Sequence, residues 1–184
     1  LLAMSIKSLN QEVISLSGSQ AGIFTDQIHG SARISDINTK RILKEIDKNK
    51  ILIIAGFQGV NTQGDITTLG RGGSDTTAVA LAAALNATVC EIYTDVKGIY
   101  TTDPRIVSQA RKIDFINYED MLEMAVLGAK MHPRSIELAS VYNVPIYVAG
   151  TFSETKGTLI VKGENMENNK TVTGIAIDKN VSKI

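Results

Sequence analysis

With 184 residues, 43% hydrophobic and 21% charged, the chain suits one globular domain, or one domain plus a short piece of another, and disorder is excluded as its default. Its 19 basic and 19 acidic residues cancel and are scattered, so there is no electrostatic footprint for nucleic acid, and no apolar run approaches the roughly 18 residues that a membrane span needs. The single cysteine, Cys90, cannot form an internal disulfide, which suits a reducing cytosol and an expected cytoplasmic location.

From the start, Leu1 to Asn10 has apolar residues at partly helical spacing and reads as the end of a helix. Leu1 follows no initiator methionine and no cleavage signal, so the start is read as cut. Glu12 to Leu16 is expected as a strand ending in the loop Ser17-Gly18-Ser19, and Ser31 to Ile34 as another. Asp36 is a suitable N-cap for a helix from Ile37 to Lys48, with Ile42, Leu43 and Ile46 on one face. Ile51 to Ala55 is an unbroken apolar run of the kind buried on both faces of a parallel sheet.

The stretch Thr67-Thr68-Leu69-Gly70-Arg71-Gly72-Gly73-Ser74-Asp75 precedes an Ala/Leu-rich helix expected over Asp75 to Leu85. Free N–H groups at a helix start favour anions, glycines allow close backbone approach, and Arg71 adds a planar fork of donors. The same residues also fit an ordinary glycine turn in which Ser74 or Asp75 caps the helix. The glycine spacing is not that of a dinucleotide fingerprint, and no G-x-x-x-x-G-K-[ST] occurs.

A strand over Thr88 to Tyr93 contains Cys90, read as a small buried hydrophobe. It leads into Thr94-Asp95-Val96-Lys97-Gly98-Ile99-Tyr100-Thr101-Thr102-Asp103-Pro104-Arg105. Acids, hydroxyls and a basic group beyond a strand tip suit a nucleotide or metal-phosphate site, because open α/β sheets bind ligands there. A solvated loop with Asp95 and Asp103 capping turns is the alternative.

Ile113 to Asn117 is expected as a connection and Tyr118 to Leu127 as a helix with Met121, Leu122, Ala125 and Val126 facing the core. Gly128 to Pro133 breaks it, and Pro133 opens the next helix, to Tyr142. Lys130 there is either a phosphate ligand or a surface lysine, and neither His132 nor His29 has the neighbours of a metal ligand. Val144 to Ala149 and Thr158 to Val161 are expected strands, residues 163–170 a polar linker, and Thr171 onward a strand that stops early. Buried strands alternating with amphipathic helices predict an α/β fold, a three-layer αβα sandwich with a mainly parallel central sheet.

Four stretches taken together, Ser17 to Ile23 with Thr25-Asp26, Thr67 to Asp75, Thr94 to Arg105 and Gly128 to Pro133, resemble the catalytic domain of the aspartate kinases, within the amino acid kinase family. The resemblance implies ATP-dependent phosphorylation of L-aspartate to 4-phospho-L-aspartate, first step toward lysine, threonine and methionine, with ATP as its Mg2+ complex and no protein metal ligand. It implies substrate contacts for Arg71, Ser74 and Asp75, nucleotide contacts for Thr94, Asp95, Tyr100, Asp103, Arg105 and Lys130, and catalytic roles for Asp75 and Lys130. It also implies an allosteric, homo-oligomeric full-length enzyme.

A lysine-glycine-glycine loop with which this family opens is not in the sequence. Residues 1–162 are therefore read as an incomplete, poorly active catalytic domain, and 171–184 as the start of a truncated ACT regulatory domain. The competing readings are an amino acid kinase acting on glutamate or acetylglutamate, and a noncatalytic nucleotide-binding fragment.

Overall fold

Short apolar runs between polar turns become ten strands and five helices among the residues that the computed structural model describes, 1–163 and 173–175. The chain divides into two units, Leu1–Leu85 and Asn86–Ile184.

The first unit contains α1 (Leu2–Ser8), β1 (Val13–Leu16), β2 (Ile23–Thr25), β3 (Ile34–Ile37), α2 (Lys40–Ile46), β4 (Ile51–Ile54), β5 (Gln58–Val60), β6 (Ile66–Thr68) and α3 (Gly73–Ala84). Strands β1 and β4 pair in parallel from Val13 opposite Ile51 to Leu16 opposite Ile54. A second sheet has the order β3-β2-β5-β6, parallel between β2 and β5 and antiparallel at both edges. Leu16, Ala21, Ile23 and Ile42 form a buried cluster, with Leu52, Leu81 and Leu85 packed against it. Each large side chain so buried contributes about 1.5–3 kcal/mol.

At the centre of this sheet Gly59 of β5 carries no side chain, and the hydroxyls of Thr25 on β2 and Thr67 on β6 meet at 2.6 Å. A Cβ at Gly59 would lie 2.5 Å from Thr25 Cγ2.

Four expectations change in this unit, the first being that the strand expected at Ser31 to Ile34 lies instead at Ile34–Ile37. Asp36 is no helix cap: it lies in β3 opposite Phe24, and Thr39 precedes a helix that begins only at Lys40. The run from Ile51 is half-buried rather than enclosed on both faces, with Ile51 itself 41% exposed. Gly72, in the left-handed region at φ 72°, takes the N-cap position of α3, so Ser74 and Asp75 fall inside its first turn.

The second unit contains β7 (Cys90–Thr94), β8 (Phe115–Asn117), α4 (Tyr118–Val126), α5 (Pro133–Tyr142), β9 (Ile146–Gly150) and β10 (Thr158–Val161). The sheet order is β7-β9-β10-β8, with β7/β9 and β8/β10 parallel and the β9/β10 hairpin antiparallel. The connection expected at Ile113 to Asn117 is thus a strand at its end, and Cys90 is buried as expected.

Asn117 caps α4 by accepting the Asp120 amide at 2.7 Å, and Tyr118 at its first turn is buried with its hydroxyl donated to the Val144 carbonyl. Burial raises the Tyr118 pKa above its ordinary value. The inward face of α4 is Tyr118, Met121, Met124 and Ala125, whereas Val126 is 66% exposed, contrary to expectation. Pro133 does open α5, and His132 caps it by accepting the Arg134 amide on Nδ1. Both units are α/β, with parallel and mixed sheets carrying helices against them. The linker expected at 163–170 and the regulatory segment expected at 171–184 lie almost entirely outside the described residues.

Candidate functional site

In the first unit the candidate loop joins β6 to α3. Its amide and carbonyl groups are fixed: Leu69 N–H donates to the Phe57 carbonyl at 3.0 Å and Gly73 N–H to that of Gly70 at 2.9 Å. Leu69 is buried as the anchor, while Gly70 and Gly72 adopt positive φ of 74° and 72°. Both values are in the region that only glycine enters without strain. Thr76 and Thr77 turn their hydroxyls back to the carbonyls of Gly72 and Gly73, and Thr77 Oγ1 accepts the Phe57 amide at 3.0 Å.

That scaffold leaves Arg71 and Ser74 exposed and Asp75 half-buried. No side chain caps α3, and Arg71 makes no ion pair among the described residues. The Gly73 and Thr76 amides are taken by the carbonyls of Gly70 and Gly72, and the positive end of α3 lies next in the chain to the Arg71 guanidinium fork.

Phe57 was not legible as part of this loop from its residue type. It holds a left-handed φ of 68°, and its ring lies where a Cβ on Gly73 would come within 2.8 Å of Cδ2. A non-glycine residue there is uncommon and marks a constrained position. The pair Gly56-Phe57, one residue beyond β4, is the hint that the sequence offers.

In the second unit Thr94 ends β7, and the loop leaving it carries Asp95, Tyr100, Asp103 and Arg105. Lys130 is 35 residues further on and reaches Asp95 Oδ1 at 2.5 Å, with Thr94 donating its hydroxyl to the same oxygen at 3.1 Å. The Lys130 ammonium and then the Thr94 hydroxyl hold the Asp95 carboxyl below the ordinary range. Lys130 itself is fixed at its base, between the Ala129 amide bonded to Met124 and the buried Met131.

Asp103 and Arg105 pair with each other through Nε and a terminal guanidinium nitrogen, the latter at 2.8 Å from Oδ2, and the Arg105 amide also bonds Oδ1. This raises the Arg105 pKa, first through Asp103 and to a smaller degree through the charge of Asp95. Tyr100 lies at a β-bridge opposite Lys112. Thr94, Asp95 and Lys130 are therefore in direct contact, Asp103 and Arg105 form a second pair, and Tyr100 belongs to the neck of the same loop. Among the described residues no three His, Cys, Asp or Glu side chains cluster as metal ligands.

Comparison with known proteins gives this geometry its context. The description "Amino acid kinase family" matches residues 1–150, and the chain belongs to that family. Over its whole length it is 52% identical to the aspartokinase of Geobacillus stearothermophilus and 51% identical to aspartokinase 2 of Bacillus subtilis, spanning 46% and 45% of those proteins. The chain thus covers a little under half the length of these relatives. Among solved structures it is similar to E. coli aspartokinase III in complex with aspartate and ADP, with a TM-score of 0.81 and 35% identity over 89% of this chain and 38% of that one. The UMP kinase of Bacillus anthracis, 21% identical with a TM-score of 0.63 over 89% of this chain and 64% of that one, shares the fold.

Proposed function

We propose that the chain supplies most of the catalytic domain of an aspartate kinase, transferring the γ-phosphoryl group of ATP to the side-chain carboxylate of L-aspartate. The observation that carries this reading is the Lys130–Asp95 contact, which joins two stretches 35 residues apart at the tip of β7 in a family of phosphoryl-transfer enzymes. The chain's similarity to aspartokinases supports aspartate as acceptor.

In this reading Arg71 clamps a carboxylate of the amino acid at the start of α3, with Ser74 beside it and Asp75 orienting cationic groups. The acceptor carboxylate is ionised at neutral pH and needs no general base. Catalysis is then positioning and neutralisation of charge. Lys130 donates to the phosphates, and Asp95 aims its ammonium. Thr94, Tyr100, Asp103 and Arg105 line the nucleotide. Magnesium enters as part of the nucleotide substrate, held by its phosphates, and has no assigned protein ligand.

We extend the same reading to a cytoplasmic, allosteric homo-oligomer in lysine, threonine and methionine biosynthesis, with 163–170 a linker and 171–184 opening a regulatory module. The test is acceptor choice by the purified full-length protein. With Mg-ATP, L-aspartate should yield an acyl phosphate trapped by hydroxylamine; a preference for glutamate or N-acetylglutamate would replace the substrate assignment.

A further inference from the structure

The loop assigned to the nucleotide leaves its sheet and returns to it through a narrow neck. Ile113 N–H donates to the Ile99 carbonyl at 2.8 Å, Thr101 N–H donates to the Arg111 carbonyl at 2.8 Å, and Tyr100 bridges Lys112. Beyond this neck lie Asp103 and Arg105. The neck is tied to β10 by one fully buried side chain. Thr158 Oγ1 accepts the Ile99 amide at 2.8 Å and donates its proton to the Ile113 carbonyl, so a single hydroxyl bonds both sides of the neck.

The surroundings are shaped for this contact. Gly98, at φ 148°, approaches so closely that a Cβ there would lie 2.7 Å from Thr158 Oγ1. Lys112 packs its stem against the same point and donates its ammonium to the Gly157 carbonyl at 3.0 Å. Two independent features, a buried two-way hydroxyl and a glycine without room for a side chain, thus converge on the root of the loop.

We propose that Thr158 is a positioning residue for nucleotide binding: its hydroxyl sets the neck at Ile99 and Ile113 and thereby the placement of Tyr100, Asp103 and Arg105. The inference rests on the assignment of this loop to the nucleotide. Valine has nearly the shape of threonine but can neither accept from Ile99 nor donate to Ile113, leaving a buried amide without its partner. Serine keeps both bonds.

In the full-length protein, Thr158→Val should raise the KM for ATP about tenfold, the equivalent of one lost buried bond, with the KM for aspartate held and kcat at saturating ATP nearly so. Thr158→Ser should restore the ATP KM to within about threefold of the parent, as expected if the hydroxyl rather than the methyl sets the neck. Hydrogen exchange on the unmutated protein gives a measurement that needs no variant: the Ile99 amide should be slow to exchange, and a fast Ile99 amide overturns the proposal. Asp95→Asn is the companion variant. If it alters the ATP KM while Thr158→Val does not, the inference falls and the loop assignment stands; if both leave the ATP KM untouched, both fall. Parallel losses in both KM values and kcat, unrescued by serine, would mean a general packing role and would also overturn it.

Discussion

The two candidate loops, if both receive an anion as proposed, are built for it in opposite ways. The loop before α3 is shaped by backbone, with Gly70 and Gly72 at positive φ and threonine hydroxyls turned onto carbonyls, and Arg71 stands exposed without an ion pair among the described residues. The loop after β7 is shaped by charge: Lys130 on Asp95 and Arg105 on Asp103. In the proposed reading an arriving anion would meet a waiting guanidinium in the first, whereas in the second a phosphate would have to share Lys130 with Asp95. The exchange is easy because both side chains are well exposed, and exposed pairs are weak. On the proposed reading, the difference would separate a seat fixed before binding from one whose charges are parked on each other until the ligand arrives.

The largest effect should come from the parked lysine. Lys130→Ala in the full-length protein removes a donor that meets charge in transit, and kcat should fall about 10²–10³-fold, measured by steady-state turnover at saturating substrates. A loss confined to the KM for ATP would reduce Lys130 to a binding group. Next is the waiting cation: Arg71→Lys loses fork geometry, and aspartate use should weaken by about 1.5–3 kcal/mol with ATP use unaltered. Unchanged kcat/KM for aspartate would remove Arg71 from the amino acid seat.

Gly73→Ala tests whether the first loop depends on backbone shape. Its Cβ would lie 2.8 Å from Phe57 Cδ2 and 2.9 Å from Leu69 Cβ, and overpacking of this kind costs about 1–3 kcal/mol, read as a lowered urea midpoint. An unshifted midpoint would show that the loop gives way freely.

The smallest effect supplies a control, an ion pair at α2 that involves no residue assigned to either loop. Glu45 accepts Lys50 at 2.8 Å and Lys48 at 3.0 Å, and these bonds, that of Lys50 first, lower its pKa from 4.5 to about 2. A carboxyl lowered in the folded state stabilises above its unfolded pKa and loses that contribution as pH falls through the folded one. The stability gap between the parent and Glu45→Gln should therefore be full at pH 7, shrink between pH 4.5 and about 2, and close below. A gap independent of pH would mean that the pair does not form.

What could be read from residue order was whatever depends on near neighbours. The apolar run from Ile51, the alanine-rich α3 and the proline at the start of α5 all emerged because periodicity and capping act within a few residues. The three-residue strands β2, β5, β6 and β8 did not, since their identity lies in partners distant along the chain, such as Leu159 opposite Phe115. Asp36 misled because an aspartate before a polar-apolar pattern looks like a cap, while tertiary pairing with Phe24 kept it in a strand. Within the site, residue types and resemblance indicated Asp95 and Lys130 separately, but their contact required the fold. Phe57 stayed hidden because a positive φ at an aromatic residue has no local signature.

The hydroxyl contact spanning β5 has a bearing on inheritance. Thr25 and Thr67 reach each other only because Gly59 vacates the strand between them, so none of the three positions is free to vary by itself. A bulkier residue at 59 would part the threonines, an apolar residue at 25 would take away the buried Thr67 hydroxyl's bond, and an apolar residue at 67 would leave the Thr25 hydroxyl only the Asp26 carbonyl, at 3.0 Å. Across relatives these positions should travel as a triplet, a coupling visible to anyone comparing descendants and invisible to anyone scoring them one column at a time.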